Sequence, residues 1–99
     1  MNLNIQSIHF DADPKLLSYV QKKCDKLDHF FNNITDGKVY MKVTKPQARD
    51  NKEVEILVNV PGKEIIGKAH GDTFEAATDM AVDKVKGQLK SYKEKLKAH

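Results

Sequence analysis

Val54, Ile56, Val58 and Val60 place an apolar side chain at every second position, and the run stops at Pro61-Gly62. That period of two is the pattern of a half-buried strand. Pro61 presets φ at the second position of a tight turn, and Gly62 supplies the positive φ that follows. The chain then returns as a strand over Glu64 to Gly71, with Ile65, Gly67 and Ala69 on one side. A hairpin that is apolar on one face only must be covered by a second layer.

The cover follows at once. From Asp72 the apolar spacing changes to three and four, through Phe74, Ala77, Ala81, Val85, Leu89, Tyr92 and Leu96. This predicts one long helix over Asp72 to Lys97, with Asp72 as N-cap and Glu75 completing a capping box. Such a helix is ~39 Å long. The strand before it spans only ~23 Å. The lysine-rich end of the helix should therefore overhang the sheet.

The first half reads the same way. Leu3 and Ile5 alternate in a short strand over Asn2 to His9. Asp13 is an N-cap and Pro14 a first helical residue. Leu16, Leu17, Val20, Cys24, Leu27 and Phe31 then form a helical stripe. Asn32-Asn33 and Asp36-Gly37 break the chain around Ile34. Val39, Met41 and Val43 alternate with Lys38, Tyr40, Lys42 and Thr44 in another strand. Lys45 to Lys52, with Pro46, Arg49, Asp50 and Asn51, is a polar loop. The order is β-α-β-β-β-α, one α+β domain over residues 1–99. The expected fold is a two-layer sandwich, a four-stranded sheet with both helices on one face. The first strand–helix–strand unit is expected to be a right-handed parallel crossover, and the later strands antiparallel neighbours. A ferredoxin-like βαββαβ arrangement fails, because nothing after the last helix reads as a strand.

Enzyme chemistry finds little support. His9, His29, His70 and His99 fall on different elements without ligand spacing, so no metal and no cofactor is expected. The single cysteine, Cys24, lies on an apolar stripe and reads as a small buried hydrophobe. The pairs Asp25/Asp28 and Asp79/Asp83 have a spacing a metal could use, but read better as solvated helix faces. Pro61-Gly62-Lys63 lacks the glycine spacing of a phosphate loop. No apolar run is long enough to span a membrane, and the N-terminus does not read as a signal peptide. One cysteine in 99 residues fits a reducing cytoplasm.

Charge carries the functional signal. Residues 80–99 hold six Lys against two acidic residues, a net of +4, whereas residues 1–79 hold 11 basic and 12 acidic residues, a net of −1. The overall formal charge of +3 thus comes from the end of one helix. Within residues 84–97 only Glu94 is acidic, so Lys84, Lys86, Lys90, Lys93, Lys95 and Lys97 are not part of a salt-bridged helix. The first helix adds Lys22, Lys23 and Lys26 on its polar side. Two neighbouring helices with basic outer faces make a stripe that can follow a phosphate backbone. The aromatic residues are expected in the core, so the readout expected is the shape and charge of structured RNA.

Several stretches taken together carry a resemblance: Leu3-Asn4-Ile5, Lys23, Lys26-Leu27 and Val60-Pro61-Gly62. Ala76-Ala77-Thr78-Asp79, Val82-Asp83-Lys84-Val85, Gln88-Leu89 and Lys93-Glu94-Lys95-Leu96-Lys97 complete it. In this order the chain resembles the ribosome hibernation-promoting factors and ribosome-associated inhibitors of bacteria, in their short form, without the C-terminal dimerisation domain of the long form. The resemblance implies a fold similar to double-stranded RNA-binding domains. It also implies a non-enzymatic, cytoplasmic stationary-phase or stress factor. Such proteins bind the small ribosomal subunit over the tRNA and mRNA sites, with basic helix faces on its rRNA. They block translation and protect idle ribosomes, and short forms promote ribosome dimers with a second small factor. The alternative from charge alone is a general structured-RNA-binding module. One departure stands out: the family usually has Arg before Gln88 and often Lys two after Leu89, where this chain has Gly87 and Ser91.

Overall fold

The computed structural model describes residues 1–45, 47 and 49–97, the side chain of Lys97 excepted. Pro46 in the polar loop, Ala48, Ala98 and His99 lie outside the described residues. The order is β1 (Asn2–Ile8), α1 (Pro14–Phe30), β2 (Asp36–Val43), β3 (Lys52–Val60), β4 (Lys63–Gly71) and α2 (Phe74–Lys97). The sheet runs β1-β2-β3-β4, with β1 parallel to β2 and the other neighbours antiparallel. The β-α-β-β-β-α sandwich expected from the sequence is the fold found.

The register explains the single core. Val39 sits opposite Ile56, and Ile56 opposite Gly67; Met41 sits opposite Val54, and Val54 opposite Ala69. These residues face one way and are buried together with Val20, Leu27, Ala81, Val85 and Leu89 of the helices. The opposite face carries charged rows, including Lys42 and His70 on either side of Glu53 at 3.4 and 2.9 Å.

Gly67 sets how closely α2 lies on β4. A Cβ there would meet the Ala81 carbonyl at 2.7 Å and Val85 at 2.8 Å. Thr78, buried in the same layer, returns its hydroxyl to the Phe74 carbonyl at 2.7 Å. Further along, the Tyr92 hydroxyl donates to the carbonyl of Pro61 in the β3–β4 turn at 2.6 Å. Beyond this bond α2 leaves the sheet, and Leu96, expected on the apolar stripe, is 53% exposed.

Other boundaries differ from the sequence reading for local reasons. α2 is capped by Thr73 rather than Asp72: its Oγ1 accepts the Ala76 N–H at 3.0 Å. The capping box with Glu75 is therefore absent, and Asp72 instead accepts the backbone N–H of Asp50 at 3.3 Å. Asp36 and Gly37 are not a break; they open β2, and Gly37 is buried where a Cβ would press on Leu3 at 3.0 Å. β1 ends at Ile8, one residue early, because His9 takes a left-handed φ of 63°. Leu17 lies at the rim of its stripe and is 37% exposed. The cap of α1 is as expected, Asp13 accepting the Leu16 N–H at 2.8 Å.

Candidate nucleic-acid interface

Burying Leu16, Val20, Cys24 and Leu27 on α1 turns a second stripe, Tyr19, Lys23, Lys26 and Phe30, along its flank. Burying Ala77, Ala81, Val85 and Leu89 does the same on α2, where Asp79, Asp83, Lys86, Lys90 and Lys93 recur at three and four. The two secondary stripes face each other. Tyr19 and Lys23 reach Asp79, while Phe30, seven residues after Lys23, meets Lys86, seven after Asp79. The helices therefore run side by side in the same sense. Between them lies a groove of about 290 Å³, walled by Lys23, Lys26, Phe30, Asp79, Asp83 and Lys86.

Charge changes sign along this groove. At its start Asp79 accepts from the Tyr19 hydroxyl at 2.8 Å and pairs with Lys23 at 3.3 Å. The hydrogen bond to Asp79 raises the pKa of Tyr19, and the same carboxylate raises that of Lys23. This pair is partly exposed and contributes little to stability. Towards the end of the groove come Lys86, Lys90 and Lys93, and Glu94 is the one acidic residue from position 84 to 97. The Lys86 and Lys93 ammoniums lie 5.4 and 5.0 Å from the centre of the Phe30 ring, and Lys93 also donates to the Phe30 carbonyl at 3.3 Å. Lys22 is exposed on the outer side of α1 beside Ser18 and Tyr19.

The lysines expected to act as one stripe are divided. Lys84 is on the other flank of α2, donating to the Lys68 carbonyl of β4 at 2.7 Å. Gln88, one turn on, donates to the Ile66 carbonyl at 2.6 Å. Lys95 follows Lys84 by three turns and belongs to that flank by helical spacing. The side chain of Lys97 lies outside the described residues.

Phe30 is the residue the sequence reading misplaced. It is only partly buried, whereas Phe31 is in the core edge-on to Tyr92, and Phe10 stacks on Phe74. Phe31 is the C-cap of α1, already extended at φ −147° and ψ 109°, so its ring turns into the core while Phe30 stays on the helix flank. Asp25 and Asp28 are more than a solvated face, because they hold the Met1 α-ammonium at 3.1 and 2.6 Å. Among the described residues no three His, Cys, Asp or Glu side chains gather as a metal site would require. No described helix is long and apolar enough to cross a membrane.

The sequence profile of the sigma 54 modulation protein / S30EA ribosomal protein family matches residues 3–97. The chain belongs to this family. Among S30EA relatives, the ribosome hibernation promoting factor of Pseudomonas putida is 36% identical over 95 residues, covering 96% of this chain and 89% of the relative. The protein of the same name from Escherichia coli is 33% identical over 99 residues, with both chains fully covered. Among solved structures, the N-terminal domain of Thermus thermophilus Protein Y superposes with a TM-score of 0.80 at 25% identity, over 93% of this chain and 99% of that one. A ribosomal subunit interface protein from Coxiella burnetii gives 0.85 at 23% identity, over 95% and 99% of the two chains, and shares the fold. The βαβββα sandwich with its paired helices is thus the S30EA architecture.

Proposed function

We propose that this S30EA protein is a ribosome hibernation factor. It binds the small ribosomal subunit over the tRNA and mRNA sites, inhibits translation without turning over a substrate, and protects or dimerises idle ribosomes in the cytoplasm. The observation that carries the reading is the basic end of the interhelical groove, in a chain whose full-length relatives bear that name. Lys23, Lys26 and Lys86 line the groove, Lys90 and Lys93 lie beside its end at Phe30, and Lys22 adds charge on the outer side of α1. Four to six ammoniums along two parallel helices can neutralise successive phosphates of an RNA backbone. Lys84 and Lys95 extend the same field on the other flank of α2, and Lys97 adds a further charge in sequence at the helix end. A second small factor acts with it in forming ribosome dimers.

Sedimentation of ribosomes with and without the purified protein tests this. Co-sedimentation with the small subunit, lost on adding tRNA, is expected. Binding alongside tRNA, or equal affinity for any RNA duplex, would favour a general structured-RNA-binding module instead.

A further inference from the structure

At the basic end of the groove, Phe30 presents a partly exposed aromatic ring among lysines, with Leu96 exposed nearby. Its ring borders three adjoining depressions: the groove itself, a hollow of about 450 Å³ with His29, Asn32 and Leu96, and a smaller one with Lys90, Lys93 and Glu94. Every other phenylalanine has an aromatic partner, and Phe30 instead has two ammoniums. A phosphate backbone needs only the lysines. The Phe30 ring packs against the core and is partly exposed on the side where the two lysine side chains lie over it.

We infer that Phe30 is a stacking platform for one unpaired nucleobase of the bound RNA, with Lys86 and Lys93 taking the phosphates on either side of that nucleotide. The inference rests on the proposed ribosome binding and adds its mode of contact. An aromatic flanked by cations suits this ligand, because every base has a π-face and each nucleotide brings its own negative charge. In the free protein the ammoniums lie against the π-face, held by its quadrupole. When phosphates arrive they draw the ammoniums outward, and the ring is uncovered for the base. The hollow beside His29 and Leu96 gives an unstacked base room. A fully paired duplex offers phosphates but no free face, so it would leave Phe30 unused.

The chain has no tryptophan, so Phe30→Trp installs a single indole reporter at the site. Two RNA probes are compared, a hairpin with an adenine loop and the same stem closed as a blunt duplex. The hairpin should quench the indole, and the duplex should leave it unchanged. In parallel, binding to small ribosomal subunits is followed across a salt series. Phe30→Leu should bind between about fivefold and about a hundredfold more weakly with the salt slope unaltered, since stacking releases no counterions. Phe30→Tyr, which keeps the platform, should match wild type and so exclude a folding defect. Equal quenching by both probes, or Phe30→Leu binding like wild type, overturns the platform and leaves ribosome binding standing. Failure of the wild-type protein to bind small subunits overturns both.

Discussion

The Lys84 ammonium is bound to the carbonyl of Lys68 at 2.7 Å, on the opposite flank of α2 from Lys86, Lys90 and Lys93. β4 is an edge strand, and with Gln88 on Ile66 two of its free carbonyls are occupied by side chains of the helix above. An ammonium used in this way is less available to a phosphate. Lys84→Ala should therefore speed amide exchange along β4 while changing the salt slope of ribosome binding by less than about half a unit. A loss of about one full unit would place Lys84 among the phosphate contacts.

Lys86 and Lys90 stand one residue before the positions where the resemblance expects basic residues, now Gly87 and Ser91. The structure puts Lys86 on the groove and Lys90 beside Phe30. Replacing both by Gln should lower ribosome affinity and flatten the salt slope by about 1.4 to 1.8 units. Thermal stability should fall only by the exposed cation–π contact, about 0.5–1 kcal/mol. Unchanged affinity would remove this ridge from the binding surface.

Two glycines on the α2 side should respond in opposite directions. Gly67→Ala drives a methyl into the Ala81 carbonyl and Val85. It should destabilise by about 1–3 kcal/mol, read as a fall in Tm of about 4–8 °C per kcal/mol. At Gly87 a Cβ meets nothing within 4 Å. Gly87→Ala should stabilise by about 0.8–1 kcal/mol through helix propensity. If ribosome affinity nonetheless drops, RNA approaches the backbone closely at that point.

The Met1 α-ammonium, held first by Asp28 and then by Asp25, has its pKa raised above the ordinary 8.0. A raised folded-state pKa means stability that is complete below pH ~8 and lost as pH climbs through the folded value. Asp25 is lowered below its usual 3.8: burial opposes ionisation, but the hydrogen bonds from Gln21 and from Met1 outweigh it. Its contribution is present above the ordinary value and lost as pH falls through the folded one. Denaturation between pH ~3 and ~10 should thus show both limbs, and Asp28→Asn should blunt the alkaline one. An alkaline limb of undiminished depth in that variant would assign it elsewhere.

Cys24 is fully buried, and burial pushes its thiol up to about 12. Alkylation should be slow in the native protein and should track global opening, so its rate should fall in step with stabilising variants such as Gly87→Ala. Fast alkylation of the native state would show α1 detaching locally.

The strands and the core were legible because alternation such as Val54 to Val60 has only one solution against a helical layer. The misses are where two residues could serve equally. Asp72 and Thr73 are both competent caps, and only the turn from β4 decides between them. Asp36-Gly37 has the composition of a turn, yet Gly37 is there because Leu3 and the Leu57 carbonyl crowd the site. The basic character of the helices was legible from composition, while its division was not. Lys84 and Lys86 lie two residues apart, about 200° around the helix, and the partners of each flank come from distant parts of the chain. Phe30 escaped notice for the opposite reason, since hydrophobicity alone assigns it to the core.

The bond from Tyr92 to the Pro61 carbonyl fixes the point at which α2 parts from the sheet. Lys93 still reaches back to Phe30, and the exposed residues 94–96 beyond it ride on a short cantilever whose root is clamped by the hairpin turn. The stiffness of that turn, set by a proline and by a glycine at φ 77°, is thereby transmitted to the far tip of the molecule. Loosening residues 61 and 62 would blur where the terminal charges sit without touching any of them.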